Sequence, residues 1–146
     1  MRYLICLLLI TSCAYQTHTV GGIASVVKQN KILAYRDYGS SNLVVTGKII
    51  DIGVDSSLEK SIIKTVGGND SVYIFKKNRE TDLHPFIVLA DEMLSYDVVV
   101  CFFTYADAAK ATSYRVGDRA SLYGKVYRFV TLDKRTVIVM DDCESQ

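Results

Sequence analysis

Apolar and polar residues divide the chain into an apolar start, a helical stretch and a long β-rich part. Residues 3–10 are apolar throughout. Between residues 23 and 39, apolar residues recur partly at a spacing of three to four, with a polar interruption at 28–31, and this predicts a helix that ends before Gly39. From residue 43 onwards, short runs rich in β-branched residues and bounded by glycine and turn residues predict strands.

The predicted strands and a short helix follow one another in a definite order. An alanine-rich stretch at 105–114 favours a short helix that separates three strands from two. A further strand at 71–75 and a solvated loop at 76–82 fall between the first and second of the five. The five main strands are predicted at 43–53, 86–91, 97–103, 119–130 and 135–144.

Three strands, a short helix and two more strands is the order of the five-stranded OB barrel. The segments VVTGKIIDI, PFIVLAD, VVVCFF, YRVGDRASLYGKV and VIVMDDCE, within about residues 43–143, resemble the tRNA_anti-like family of OB-fold proteins. The resemblance implies a mainly β fold, a five-stranded OB-fold barrel with a short helix between strands 3 and 4. The helix predicted from apolar spacing precedes this barrel as an N-terminal helix. The span 53–85 is longer than the usual first hairpin and departs from this pattern.

The apolar start of the chain has the features of an export signal. Residues 3–10 are too few to cross a bilayer as a helix. A charged Arg2, an apolar centre and small residues at its end are typical of a secretory signal peptide. The sequence ITSC at 10–13 resembles the lipobox of bacterial lipoproteins, which implies cleavage after residue 12 and attachment of a diacylglycerol to Cys13. The alternative is an ordinary cleaved signal followed by a chance cysteine.

The likeness to lipoproteins also predicts how the chain is organised. Stable anchoring needs at least two acyl chains, which a lipidated and N-acylated Cys13 would provide. Ala14 lacks the acidic character that retains such proteins in the inner membrane of Gram-negative cells, so the periplasmic face of the outer membrane is favoured. Four parts are predicted: a signal peptide at 1–12, a lipid anchor and tether at 13–22, an N-terminal helix at 23–39 and the OB-fold domain at 40–146.

Length and charge predict the number of domains and bear on whether the chain attracts nucleic acid. Removal of the first 12 of the 146 residues leaves 134, which suits one domain with one core. The removal also takes Arg2 from the 17 basic residues and leaves 16 against 16 acidic ones. A formally neutral chain has no global field that recruits nucleic acid.

The four cysteines have different predicted roles. Cys6 leaves with the signal peptide and Cys13 carries the lipid, so Cys101 and Cys143 remain as a pair. In an oxidising compartment, two remaining cysteines predict a disulfide. The alternative is a pair of buried free thiols.

No sequence motif indicates an enzyme, a metal site or a cofactor. The nucleophile elbow, the zinc-protease motif and the phosphate-binding loop are all absent from the sequence. Asp141 and Asp142 are neighbours on a predicted strand and are expected on opposite faces, and His84 is interpreted as a loop residue. His18 lies far from His84 in sequence, and neither remaining cysteine has a second ligand at metal spacing.

A possible binding surface lies on the fourth strand of the predicted barrel. Ala120, Leu122 and Val126 are predicted to face the core. The outward row is then Tyr123, Lys125 and Tyr127, near Arg119 and Arg128, and such a set suits base stacking with phosphate neutralisation. We favour the alternative, in which the tyrosines pair with neighbours on the outer face and the lysine provides solubility.

The sequence therefore predicts an exported, membrane-anchored lipoprotein whose OB-fold domain is a binding or protein-interaction module of the cell envelope. The predicted partners are the membrane, through Cys13, and an envelope protein. Nucleic acid is not a predicted partner, because a lipid-anchored protein outside the cytoplasm rarely meets tRNA. Two alternatives stay open: binding of single-stranded nucleic acid or oligosaccharide through the barrel face, and a structural envelope component without a small ligand.

Overall fold

A computed structural model describes residues 16–55, 61–64, 71–74, 84–93, 95–104, 107–132 and 134–146. The elements in chain order are β1 (Thr17–Thr19), α1 (Val20–Gln29), α2 (Lys31–Tyr38), β2 (Asn42–Asp55), β3 (Ser61–Lys64), β4 (Ser71–Ile74), β5 (His84–Ala90), β6 (Val98–Phe103), α3 (Ala108–Ala111), β7 (Arg119–Leu132) and β8 (Arg135–Ser145). The predicted signal peptide, Cys13 and the loop predicted at 76–82 lie outside the described residues.

Five strands close into a barrel in the order β2-β5-β6-β8-β7, and β7 pairs back onto β2. The pairing of β6 with β8 is parallel, and the other four pairings of the barrel are antiparallel. The short helix α3 lies between the third and fourth barrel strands, and helices precede the barrel. The predicted fold class, a mainly β protein with a five-stranded OB-type barrel, is confirmed.

Closure depends on two long strands. The strands β2 and β7 each have 14 residues. The strand β2 pairs with β7 along 42–48 and with β5 along 48–55, so one strand serves two neighbours. Register shifts lie between Ile49 and Asp51 on β2 and between Val126 and Arg128 on β7, and such bulges increase the coiling that a small barrel needs.

The barrel interior is filled by alternate residues of all five strands. Apolar side chains from α1 belong to the same core, so the helix packs directly against the barrel interior. The largest fully buried side chains of this cluster include Phe103, Phe129, Ile49, Leu89 and Met140.

The other face of the middle strands is also apolar and buried. On β6, Val99 and Cys101 belong to the interior, whereas Val98, Val100 and Phe102 alternate with them and belong to a second cluster. All six residues of β6 are buried. The second cluster continues onto β5 and β8 through Val88, Ala90, Val137 and Val139. A strand buried on both faces explains why this part of the sequence is continuously apolar.

The N-terminal helical region consists of two helices, not the single helix predicted at 23–39. The helix α1 begins at Val20, and Asn30 has an extended backbone with φ −156° and ψ 100° between the two helices. The Asn30 side chain accepts hydrogen bonds from the backbone N–H groups of Ile32 and Leu33, each 3.1 Å long. Asn30 therefore caps α2 and ends α1, and the polar interruption at 28–31 marks this break.

The folded part begins earlier than predicted, inside the segment 13–22 that was interpreted as tether. The strand β1 pairs in parallel with β2. The Asp91 carboxylate at the end of β5 accepts hydrogen bonds from the backbone N–H groups of Val20, at 3.0 Å, and Gly21, at 2.8 Å. A carboxylate at these first N–H groups of a helix also interacts favourably with the helix dipole. Gly21 and Gly22, which lie in the segment interpreted as tether, are thus part of α1.

Candidate binding surface on the barrel

The row predicted on β7 lies on the outside of the barrel. Tyr123 is half-buried, Lys125 is exposed, and Tyr127 is 44% exposed. The alternate residues Leu122 and Val126 are buried in the core. The structure thus brings together the three side chains that alternation placed in one row, and their role in binding stays a prediction.

A bulge ends this row at Tyr127. Val126 lies opposite Met140, and Arg128 lies opposite Val139, so Tyr127 is an extra residue on β7. Beyond the bulge the alternation changes phase, and Phe129 packs inside the barrel. Arg128 is half-buried and opposes an apolar residue, so it does not extend a cationic row.

Acidic residues on β8 face the row. Tyr123 lies opposite Glu144, and Lys125 lies opposite Asp141. Next to them is a depression of about 310 Å³. Its lining residues are Ser40, Lys125, Val126, Tyr127, Asp141 and Asp142. Because carboxylates adjoin the lysine, this surface lacks the continuous positive potential that phosphate binding needs.

Asp141 and Asp142 do not alternate as the sequence pattern predicted. Asp142 has a positive φ of 51°, and the register of β7 and β8 shifts between Tyr123 and Lys125. This bulge turns both aspartates toward the same depression. Asp141 is half-buried and Asp142 is exposed.

Two further basic residues, Arg119 and Arg135, contact other side chains of the protein. Arg119 Nη2 lies 3.4 Å from Glu92 Oε1, in an exposed ion pair. The Arg135 side chain is buried, and its guanidinium lies 5.6 Å from the centre of the Tyr96 ring. No large positive surface arises from these groups within the described part of the chain.

The middle strands offer a different kind of surface from the one that OB folds use for nucleic acid. In OB folds, ligands bind across the second and third strands, here β5 and β6. The outward side chains Val88, Val100 and Phe102 are apolar and at most 1% exposed. Base stacking needs accessible aromatic rings beside cations, which this face does not provide. In the sequence, burial of both faces of β5 and β6 corresponds to their continuously apolar runs.

A second depression lies where β1, α2 and the start of β2 meet. Its volume is about 380 Å³, and it is lined by Gln16, His18, Asp37, Tyr38, Ser41, Asn42 and Leu43. The His18 and Tyr38 rings make an edge-on contact, with centroids 5.4 Å apart. The sequence did not indicate this contact, because Tyr38 is far from His18 in sequence and is brought near it by the turn between α2 and β2.

The two histidines and the carboxylates form no metal centre in the described ranges. No group of three or more His, Cys, Asp or Glu residues that could hold an ion occurs there. His84, interpreted as a loop residue, is instead the first residue of β5 and pairs with Asp55. Nor do the described helices include one long and apolar enough to cross a membrane.

Cys101 and Cys143 meet inside the barrel as free thiols. Both are fully buried, and they come from the neighbouring parallel strands β6 and β8. Burial raises the pKa of Cys143 well above its ordinary value, and a hydrogen bond with Cys101 raises that pKa further. Gly124 leaves room for the sulfur, because a Cβ at this position would lie 2.6 Å from Cys143 Sγ. The predicted disulfide is not formed in this structure, although the two thiols are in contact.

Comparison with solved structures supports the fold. The chain is similar to a "putative nucleic acid-binding lipoprotein" from Klebsiella pneumoniae, with a TM-score of 0.61 and 16% sequence identity. The similarity covers 90% of this chain and 92% of that chain. At this identity, the likeness shows a shared fold alone. No protein-family model matches the chain, and no curated protein matches it in sequence.

Proposed function

We propose that the chain is an exported lipoprotein, anchored through Cys13, whose barrel is a protein-interaction module of the cell envelope. The observation that carries the proposal is the apolar run that ends in ITSC at 10–13, only a few residues before the first strand. A signal peptide in that place would direct the export of the folded part that follows it. The similar structure from Klebsiella pneumoniae is named a lipoprotein, and the strand order agrees with the tRNA_anti-like resemblance.

A protein partner is favoured over nucleic acid because of the charges on the barrel. The outward row on β7 faces Glu144 and Asp141, and the outer positions of β5 and β6 are apolar and buried. Tyrosine is enriched at protein interfaces, whereas nucleic-acid surfaces are strongly positive. We place the protein at the periplasmic face of the outer membrane, since Ala14 follows the anchor cysteine.

The anchoring part of the proposal is tested by intact mass. Protein extracted from membranes should begin at Cys13 and carry three acyl chains, whereas Cys13→Ser should leave the signal peptide attached or release an unlipidated chain. Recovery of the wild-type protein with its first methionine and without lipid would refute the anchoring.

The binding part is tested with a photo-crosslinking amino acid at Tyr127, which is 44% exposed beside the depression on β7 and β8. In cells, this position should give one discrete adduct with an envelope protein. The matched control is the same amino acid at Val116, which is 54% exposed in the turn before β7 and should give none. Equal adducts at both positions would contradict a specific partner at this surface.

Binding of single-stranded nucleic acid is the second candidate, favoured only by the name of the Klebsiella pneumoniae protein and by the tyrosine row. Its signature would be salt-sensitive binding of oligonucleotides that Tyr123→Ala with Tyr127→Ala abolishes. We expect no retention at low salt. Binding of oligosaccharides would instead be salt-insensitive, and a purely structural component would show neither activity.

A further inference from the structure

The second cluster, on the outward side of the middle strands, is an apolar surface from which water is excluded. Its fully buried members on β5 and β6 are Val88, Ala90, Val98, Val100 and Phe102, each at most 1% exposed. Val137 and Val139 continue the cluster on β8. A sheet face that points away from the barrel interior stays this dry only when another part of the protein packs on it. The cover must therefore come from outside the barrel wall.

The described helices do not supply this cover. The buried residues of α1 and α2 all belong to the cluster in the barrel interior, and so does Ala111 of α3. Met93, in the segment between β5 and β6, packs against the second cluster. That segment connects Ala90 to Val98, so it lies at one end of the cluster. The opposite end is left for another part of the chain.

The β3–β4 hairpin is attached at the opposite end. There Phe86 on β5 lies opposite Phe102 on β6, and their rings make an edge-on contact with centroids 6.0 Å apart. Residues 56–83, which include β3 and β4, connect β2 to β5. The two ends of this connection meet, because Asp55 pairs with His84. The connection that carries the hairpin thus begins and ends beside the part of the cluster that lies farthest from the β5–β6 segment.

The hairpin also needs an apolar surface to pack on. The strands β3 and β4 have four residues each and, among the described strands, pair only with each other. A two-stranded hairpin by itself is at best marginally stable in water. Ile63 lies opposite Val72, and by alternation Ile74 shares their face of the hairpin. Three β-branched residues on one face suit contact with an apolar sheet.

We propose that the β3–β4 hairpin packs on the second cluster at Phe86 and Phe102, with the face that holds Ile63, Val72 and Ile74. OB folds bind ligands across their second and third strands, here β5 and β6, so the hairpin occupies the usual ligand position. Nucleic acid or oligosaccharide would reach this face only after the hairpin is displaced. The inference does not depend on the lipid anchor, and it goes beyond the proposed function by assigning this face an occupant from the chain itself.

The test uses tryptophan as the reporter, because the sequence contains none and one introduced tryptophan is observed alone. Phe102→Trp reports the second cluster, and Phe103→Trp, at the next residue, reports the barrel interior. In the otherwise unchanged full chain, acrylamide should quench both poorly. Adding Ile63→Ser with Val72→Ser removes the apolar contact of the hairpin. We expect acrylamide quenching at position 102 to rise at least about twofold and quenching at position 103 to stay low, because a packed interior excludes the quencher.

The matched control is Ile62→Ser with Tyr73→Ser, an opposed pair on the other face of the hairpin, which should leave quenching at position 102 low. Phe86→Trp, half-buried at the same end of the cluster, replaces Phe102→Trp if that variant does not fold. Strong quenching at position 102 before the hairpin is changed would overturn the proposal. So would no rise after Ile63→Ser with Val72→Ser, an equal rise at positions 102 and 103, or the same rise with the control pair.

Discussion

At the scale of single residues, the contact between Cys101 and Cys143 is the feature with the clearest chemical consequence. Both thiols are buried inside the barrel and hydrogen-bonded to each other. An oxidising compartment supplies protein disulfides that can accept two electrons, and exchange with one of them would join the two sulfurs and convert the donor disulfide into a dithiol that carries the two hydrogens. On the proposed export of the chain, we predict that this bond forms during folding, before the core closes.

The bond would close a loop of 43 residues, from Cys101 to Cys143, and stabilise the fold by about 4 kcal/mol in the chain-entropy model. Protein purified from the envelope should be lighter by two hydrogens than its reduced form and should resist alkylation after denaturation. Cys101→Ser is the control and should leave Cys143 free to alkylate. Alkylation of both cysteines in the wild-type protein would contradict the disulfide.

The reduced protein should lose stability in alkaline solution because of Cys143. Burial raises the pKa of this thiol in the folded state, so above the ordinary thiol pKa the unfolded chain releases its proton first. The stabilising effect is complete below about pH 8.5 and is lost as pH rises, by at most about 1.4 kcal/mol per pH unit. Urea unfolding from pH 7 to 10 should show a steeper decline for reduced wild type than for Cys143→Ala. Parallel declines would contradict this assignment.

At the scale of elements, Asp91 determines how the N-terminal helices are attached to the barrel. Its carboxylate accepts from the N–H groups of Val20 and Gly21, about 70 residues away in sequence. We predict that Asp91→Ala lowers the free energy of unfolding by about 1–2 kcal/mol, as the loss of a helix cap does. Asp37→Ala, which removes only an exposed partner of Arg36, should leave stability unchanged in the same urea titration. Equal effects of the two variants would exclude a capping role.

The elements show what sequence periodicity can and cannot predict. Strand order, the short helix and the outward row on β7 followed from alternation and turn residues, which are local properties of the chain. The helix break at Asn30 had a local signal that the prediction of a single helix at 23–39 missed, because asparagine after a polar run is a good helix cap. The start of the fold at Thr17 had no such signal. The strand β1 and the helix α1 are held in place by β2 and Asp91, and pairing between residues far apart in sequence leaves no local pattern.

The candidate site was predicted less completely than the strands, for a related reason. The acidic neighbours of Lys125 depend on the register between β7 and β8. The bulges at Tyr127 and Asp142 shift that register, and neither position carries the glycine that would have indicated a bulge. The row of Tyr123, Lys125 and Tyr127 therefore does not form a continuous positive surface, because register decides which charges become neighbours.

At the scale of the whole molecule, the barrel is distinguished by middle strands that are buried on both sides. Val99 faces the interior and Val100 faces outward, yet each is fully buried. We predict that Val100→Asp destabilises the protein as much as Val99→Asp, by more than about 3 kcal/mol, because each buries an unpaired charge. Thr131→Asp, at an exposed strand position, is the matched control and should change stability by less than about 0.5 kcal/mol.

Urea unfolding of the three variants tests whether the outer face of β5 and β6, where OB folds bind ligands, is accessible. If this face is open to ligands, a charge there changes ligand binding but leaves the free energy of unfolding nearly unchanged. If the face is covered, the same charge lowers the free energy of unfolding. If Val100→Asp proves as mild as Thr131→Asp, the outer face of β5 and β6 is accessible and nucleic-acid or oligosaccharide binding regains its usual location. If Val100→Asp unfolds the protein, any partner must bind elsewhere, and the surface around Tyr127 becomes the place to look.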